Sequence, residues 1–510
     1  MNRKSAADAP RTDELWGHPK GLPVLISLKV WELFSYQGMR AFLVFYLIGA
    51  FGMRDDEAVL IFGSYAALVL STSVLGGYCA DKWLGAKRAM AIGAALIMSG
   101  HAALALENLL AGLQVANHAV TFQVFCMGLA LIAVGTGLLK PNVLTMIGRL
   151  YRTDDPKREF GYYGYYIGVN IGSFAAPLIC GGLASHYGWT WGFGAAAIGM
   201  ALGLVSFVIG RRWVQPIDAS PPQTAQVATR PLVAAALLIA VIAAATLLVQ
   251  HGLAVGILLV CTLAVGVAVL LGRARASGEP GDTRLILRFF LLLPMPMFFE
   301  MLFEQLSTTV NLFSDRTVQQ SLLGIAVTAP QLLSLNSFFV LTLLPFLTMT
   351  WRALARRGSD PGTFAKFAIG FTLMAAAFAI LALSTSVGSS DTRISQLWIV
   401  GAYLVITLGE LCIAPPAFAA VGRLVPERYA GVAMGLTLLS FAAGTFVASL
   451  LAGMAHVPET HSVPAARDAY GSFFVLPVML ALVFALIAAA FGRVLRSERS
   501  LSIGVGEAAG

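Results

Sequence analysis

Fourteen stretches of this 510-residue chain are apolar over a length that crosses a bilayer: about 24–50, 58–80, 88–110, 120–147, 160–185, 190–210, 231–250, 252–272, 285–310, 328–350, 364–386, 396–422, 430–455 and 470–492. A hydrocarbon core about 30 Å thick takes about 20 helical residues to span. Inside it, backbone N–H and C=O groups have only each other for partners, so the spans must be helices. The composition agrees, with 58% hydrophobic and 12% charged residues, against about 25% charged in soluble domains. The sequence therefore predicts an all-α polytopic membrane protein with fourteen transmembrane helices.

Basic residues set the topology. With the loops numbered alternately, 27 of the 34 Lys and Arg fall on the side of the two termini or at adjoining span ends. Four lie in the opposite loops, Arg54, Arg316, Arg393 and Arg467, and three lie within spans. By the positive-inside rule both termini are cytoplasmic. The net charge of +8 is thus membrane topology rather than nucleic-acid recognition. No cleavable signal peptide is expected, because Met1–Lys20 is polar and the first apolar span exceeds a signal h-region. The five cysteines fall in or beside apolar spans, and no two of the seven histidines stand at i, i+4. Neither a disulfide framework nor a metal site is expected.

Spans seven and eight carry no intramembrane charge and are joined only by Gln250-His251-Gly252. They read as a helical hairpin inserted between two six-helix bundles. The expected division is a cytoplasmic N-terminus over 1–22, a first bundle over 23–212, a linker over 213–283 with helices at about 231–250 and 252–272, a second bundle over 284–495 and a cytoplasmic tail over 496–510. Six plus six is the arrangement of major facilitator transporters, with the substrate site between the halves.

Seven ionisable side chains sit well inside the spans: Lys29, Arg40 and Lys140 against Glu32, Glu300, Glu304 and Glu410. Each costs about 2.5–3.5 kcal/mol at a bilayer centre, and such groups usually mark substrate or proton routes. Lys29, Glu32, Tyr36 and Arg40, spaced i, i+3, i+7 and i+11, share one helix face. The bland alternative is a buried ion pair that fixes packing. A zwitterionic ligand needs a cation for its carboxylate, an anion for its ammonium and amides for its backbone. Arg40 and Lys140 can supply the first, Glu410 the second, and Asn170 and Asn336 the third. Glu304 can carry a proton if its cation partner comes and goes, since burial favours the neutral carboxyl and a nearby cation the charged one.

Several motifs narrow the reading. Gly76-Gly77-Tyr78-Cys79-Ala80-Asp81-Lys82-Trp83-Leu84-Gly85-Ala86-Lys87-Arg88 resembles the G-x-x-x-D-(R/K)-x-x-G-x-(K/R)-(K/R) loop of major facilitator proteins, and marks Gly77, Asp81, Gly85 and Arg88 as a conformational loop. Further stretches are Gly135-Thr136-Gly137-Leu138-Leu139-Lys140-Pro141-Asn142, the run Phe160–Gly172 with Tyr162, Tyr163, Tyr165 and Tyr166, Phe303-Glu304-Gln305, Pro330–Asn336 and Gly409-Glu410. With the first-helix motif they resemble the proton-coupled oligopeptide transporter family, over about residues 20–495. The inserted hairpin is similar to the extra helix pair of its bacterial members.

This resemblance implies substrate contacts at Tyr36, Arg40, Lys140, Asn170, Asn336 and Glu410, and proton coupling through Glu32 and Glu304 with Lys140 as partner of Glu304. It also implies no cofactor beyond a proton gradient, a bacterial inner-membrane location, and a monomer whose partners are small peptides, protons and the bilayer. The first helix departs from the family pattern E-x-x-E-R-F-x-Y-Y-G. Lys29 replaces the first glutamate, Leu33 the arginine and Gln37 the second tyrosine, while Glu300 stands where the family usually has an uncharged residue. Lys29 and Glu300 are therefore expected to be a compensating pair. The seven buried charges sum to −1, which suits a carrier of one proton and a zwitterion. The expected function is proton-coupled symport of di- and tripeptides or peptide-like compounds by alternating access, not enzymatic. The alternative is a same-family transporter with altered coupling or a non-peptide substrate.

Overall fold

The computed structural model describes residues 14–114, 117–152, 155–214, 231–277, 279–389, 391–455, 457 and 462–507. The first bundle comprises α1 (Gly21–Phe51), α2 (Asp55–Cys79), α3 (Ala86–Gly112) and α4 (His118–Arg149). A composite fifth span follows, with α5 (Lys157–Ala176), a π-turn at Pro177–Gly181 and α6 (Gly182–Tyr187), and then α7 (Trp189–Gly210). The hairpin is α8 (Pro231–Gln250) and α9 (Gly252–Ala276).

The second bundle opens with a broken span: α10 (Pro280–Leu292), α11 (Pro294–Phe303), a 3-10 stretch Glu304–Leu306 and α12 (Thr309–Thr317). Next come α13 (Ala329–Leu332) and α14 (Ser334–Arg356), then α15 (Thr363–Ser386), α16 (Gln396–Leu424), α17 (Glu427–Ala452) and α18 (Val463–Glu507). Among the described residues, 13 helical segments are long and apolar enough to span a membrane, and Ala235–Gln250 of α8 is a shorter apolar one. The protein is thus an all-α polytopic membrane protein of the major facilitator fold, two six-helix bundles with an inserted hairpin.

The bundles meet where α2 packs along α17 and α5 along α14. The hairpin covers the first seam from outside. Its α8 lies on α4, and α9 lies against both α2 and α17. A Cβ on Gly256 of α9 would strike the Phe446 ring of α17, with its nearest atom at 2.4 Å. The hairpin is therefore packed on both halves rather than tethered beside them.

Two differences from the sequence expectations stand out. The first span of the second bundle was expected to run unbroken over about 285–310, but it is interrupted at 304–308, where Thr308 (φ −114°, ψ −94°) leaves helical geometry. The last helix runs past the expected boundary at 495 to Glu507, in a stretch without proline. The tail 1–13 and the linker 215–230 lie outside the described residues.

The four arginines on the poorly basic side are all structurally engaged. Arg54 pairs with Asp56 at 2.8 Å. Arg393 donates to the carbonyls of Asp315 and Val318 at 3.1 and 2.9 Å. Arg467, 2% exposed, donates to Thr385, Val387, Ser389 and Thr392 carbonyls at the end of α15. The Thr385 carbonyl is in the last turn of α15 without a helical donor, and those of Val387, Ser389 and Thr392 lie just beyond it, so a buried guanidinium ties up this helix end and meets the negative end of its dipole. Arg316 joins the two halves, as described below.

Candidate functional site

The helices that carry Lys140, Glu410 and Glu304 are locally irregular beside those residues, whereas α1, with Lys29, Glu32 and Arg40, is continuous. Pro141 follows Lys140 inside α4. It has no N–H for the Gly137 carbonyl, and α2 passes directly over that freed group. A Cβ on Gly76 would stand 2.0 Å from the Gly137 oxygen, so only glycine fits this crossing. In α16, Pro415 and Pro416 leave the carbonyls of Leu411 and Cys412 without their helical donors just after Glu410. Glu304 opens the 3-10 stretch of the broken span. The fifth span, which carries Asn170, passes through a π-turn at Pro177. Such breaks put side chains into the space between helices and mark places where a helix can bend.

The central relationship links the bundles. Arg40 Nη2 of α1 lies 2.5 Å from Glu304 Oε2, with both side chains at or below 10% exposure. Arg40 also donates to Gln37 Oε1 at 3.3 Å, and its guanidinium stands over the Tyr36 and Phe62 rings at 5.3 and 5.0 Å. Such stacking suits a weakly hydrated planar cation. Its Nε has no hydrogen-bond partner among the described residues. Asn311 Nδ2 donates to the Ala41 carbonyl at 2.9 Å, a second tie from the broken span to α1.

Two to three turns before Arg40, on the same face of α1, Lys29 and Glu32 form a buried ion pair. Lys29 is thus engaged by Glu32 rather than by Glu300, the partner expected from sequence. Glu300 accepts from Thr445 Oγ1 of α17 at 3.5 Å and lies beside Glu304. Lys140 was expected to partner Glu304. Instead Arg40 holds Glu304, and Lys140 makes no ion pair or hydrogen bond among the described residues. Its charged neighbours are Lys29, Glu32, Glu300 and Arg40. The physical reason is geometric. Arg40 lies nearer the broken span, and its fork matches a carboxylate better than an ammonium does.

The second bundle carries the complementary group. Asn336 Nδ2 of α14 donates to Glu410 Oε2 at 2.7 Å and to Thr407 Oγ1 at 3.2 Å. Asn170 of α5, 6% exposed, donates to the Tyr166 carbonyl at 3.0 Å. The Tyr166 side chain lies beside both Asn170 and Glu410, which brings the fifth span to α16. Of the remaining tyrosines in that run, Tyr165 lies by Lys29 and Glu32. Tyr162 stacks under Arg158 at 6.0 Å. Tyr163 is exposed and donates to Glu159 at 2.7 Å. Leu33, at the family's arginine position, packs by Gly172 of α5. In the loop after α2, Gly85 has φ +74°, Gly77 approaches Pro141, and Asp81 is exposed without an ion pair among the described residues.

The sequence reading missed a clasp at the face of the α1–α2 turn. Arg316 at the end of α12 grips Asp55 at the start of α2 through two contacts of 2.5 and 2.7 Å, and also donates to Tyr470 at 3.1 Å. Gln331 reaches the Leu178 carbonyl at 3.1 Å on the same side. The available signal was an isolated arginine facing an Asp-Asp-Glu run on a side otherwise poor in charge. The sequence reading also missed Gln37, Phe62 and Tyr65, which surround Arg40 and Tyr36. No group of three or more metal-ligating side chains occurs among the described residues.

Two six-helix halves, joined by a buried ion pair and carrying opposed charges across their interface, define a secondary transporter of the major facilitator type. The POT family profile matches residues 87–469, about three-quarters of the chain. Dipeptide and tripeptide permease A of Erwinia pyrifoliae is 31% identical over 94% of this chain and 96% of its own. The permease A of Escherichia coli K12 is 31% identical over 89% and 88%, and peptide transporter YePEPT of Yersinia enterocolitica is 31% identical over 90% and 93%. Among solved structures, a mutant peptide transporter POT in complex with alafosfalin matches with TM-score 0.76 and 31% identity over 94% of this chain and 96% of that one. The chain belongs to the POT family of peptide transporters, and is a transporter rather than an enzyme.

Proposed function

We propose that this protein is a proton-coupled symporter of di- and tripeptides or closely peptide-like zwitterions, working by alternating access. The observation that carries the reading is the Arg40–Glu304 pair between the bundles, faced by Asn336–Glu410 from the second bundle. A substrate carboxylate and Glu304 compete for the same guanidinium. Protonating Glu304 releases Arg40, and the released cation, with Lys140 beside it, takes the carboxylate. Glu410, held by Asn336, takes the ammonium. A proton and a zwitterion then enter together, because Arg40 keeps an anionic partner in both arrangements. Tyr36, Asn170 and Tyr166 line the space between, and Glu32 with Lys29 sets the field on the first helix. Lys29 and Glu300 balance the net charge of the cavity without touching in this state. The Gly77–Arg88 loop follows the motion of α2.

The relatives' bacterial origin and the Lys/Arg distribution support a multi-pass protein of a bacterial inner membrane with both termini in the cytoplasm, and the family resemblance alone implies a monomer. The Asp55–Arg316 clasp then closes the outer face. The reading with altered coupling rests on Lys29 and Leu33, and peptide permeases that match over nearly the whole chain do not favour it. Uptake of labelled di-alanine into proteoliposomes tests the proposal. Accumulation that follows an imposed inward proton gradient and collapses with a protonophore is expected. Uptake indifferent to the gradient overturns the coupling, and no peptide flux overturns the substrate class.

A further inference from the structure

Away from the transport site, a cleft of about 420 Å³ lies between the start of α3 and the end of α7, lined by Lys87, Arg88, Ala91, Phe207, Val208, Arg211 and Arg212. Four of the seven lining residues are cations and none is acidic. Like charges gathered in one cleft raise the local positive potential, which attracts an anion. Arg212 is oriented by stacking on Trp213 at 4.3 Å. The floor is apolar, with Phe207 buried and Val208 46% exposed.

The surface below the cleft decides what kind of anion fits. Ile198, Leu202, Val205 and Ile209 form an exposed apolar stripe along α7, ending one turn from Arg212. Their spacing of i, i+4, i+7 and i+11 is that of one helix face. A soluble anion uses only the cations. A phospholipid uses both parts, its phosphate among the cations and its acyl chains along the stripe. The cleft sits at the ends of α3 and α7 that belong to the basic side of the chain, the level at which headgroups lie. Basic pockets between helix ends on that side are suited to acidic lipid headgroups.

We propose that this cleft is a binding site for the phosphate headgroup of an anionic phospholipid, which joins α3 to α7 at the membrane surface. The shared chemistry is a phosphate group, and a free phosphate is the competing source.

The test measures thermal stability and native-mass lipid retention of the full-length protein in a mild detergent, with added phosphatidylglycerol, phosphatidylcholine or inorganic phosphate. Phosphatidylglycerol is expected to raise the melting temperature and to stay bound, with little effect from the other two. Lys87→Gln with Arg211→Gln should weaken phosphatidylglycerol binding roughly ten- to thirtyfold. The charge-preserving Lys87→Arg with Arg211→Lys should retain it. An unchanged melting temperature of both variants without lipid separates lost binding from lost folding, and lipid retention is read directly whichever way that temperature moves. Equal stabilisation by phosphatidylcholine, or unchanged phosphatidylglycerol retention in the neutral variant, overturns the proposal. Equal stabilisation by inorganic phosphate overturns the lipid as its source.

Discussion

Arg40 of the first helix and Glu304 of the broken span, 264 residues apart in the chain, form a 2.5 Å ion pair between the two bundles. Removing one partner leaves a buried charge alone, which costs about 3–5 kcal/mol, whereas removing both costs far less. Arg40→Leu and Glu304→Gln are each expected to destabilise the protein more than their combination does. A double-mutant cycle on thermal stability in detergent measures this, and additive effects would show that the two do not act as a pair.

Proton coupling should separate from peptide movement at Glu304. Glu304→Gln is expected to abolish gradient-driven accumulation of di-alanine while peptide exchange between equal pools persists. Counterflow in proteoliposomes distinguishes the two. Accumulation at wild-type level would place the coupling proton elsewhere.

The Asp55–Arg316 clasp joins the two bundles on one face, and the proposed mechanism makes it a gate. With partial exposure of 24% and 11%, its contribution is about 1–2 kcal/mol. Asp55→Asn should shift the population of open molecules on that face by about tenfold. Spin labels on the two halves read the distance distribution. Asp55→Arg with Arg316→Asp should restore closure, and failure of both effects would leave the clasp without a gating role.

The proposed compensation between Lys29 and Glu300 is open to a charge-swap test. Glu300→Gln alone is expected to lower peptide uptake, and Lys29→Glu combined with Glu300→Lys to recover part of it. Absence of any recovery sinks the idea of compensation.

Gly76 has no room for a side chain over the freed carbonyl of Gly137. Gly76→Val should cost about 1–3 kcal/mol or more through forced separation of α2 and α4. Folded yield by fluorescence-detected gel filtration reports it. A wild-type yield would mean that the crossing can spread.

Much of the fold was legible because hydropathy and Lys/Arg placement are properties of whole segments. The inserted hairpin showed itself by the absence of charge. The residues brought to the bundle interface were legible as well, since a buried ionisable group advertises itself in an apolar run. Their pairing was not. Lys29 takes Glu32 from its own helix, and Arg40 rather than Lys140 takes Glu304, because partner choice depends on how far apart the helices stand. The break after Glu304 was also hidden. No proline or glycine lies between Met297 and Leu323, so nothing local signals it. Tertiary ties such as Gln305 to the Ala448 carbonyl at 3.0 Å hold that stretch, and they exist only once α17 is in place.

The division of the seventh core span into separate rods has a mechanical consequence. A continuous helix shares its hydrogen bonds along its length, so tilting one end drags the other. Here α11 and α12 meet through residues 304–308, and α12 ends in the arginine of the clasp. A load applied at the Glu304 carboxylate therefore falls on the joint itself. The short rod between that joint and Asp55 works as a lever, by which loss or gain of one charge at the centre can be delivered as torque at the rim.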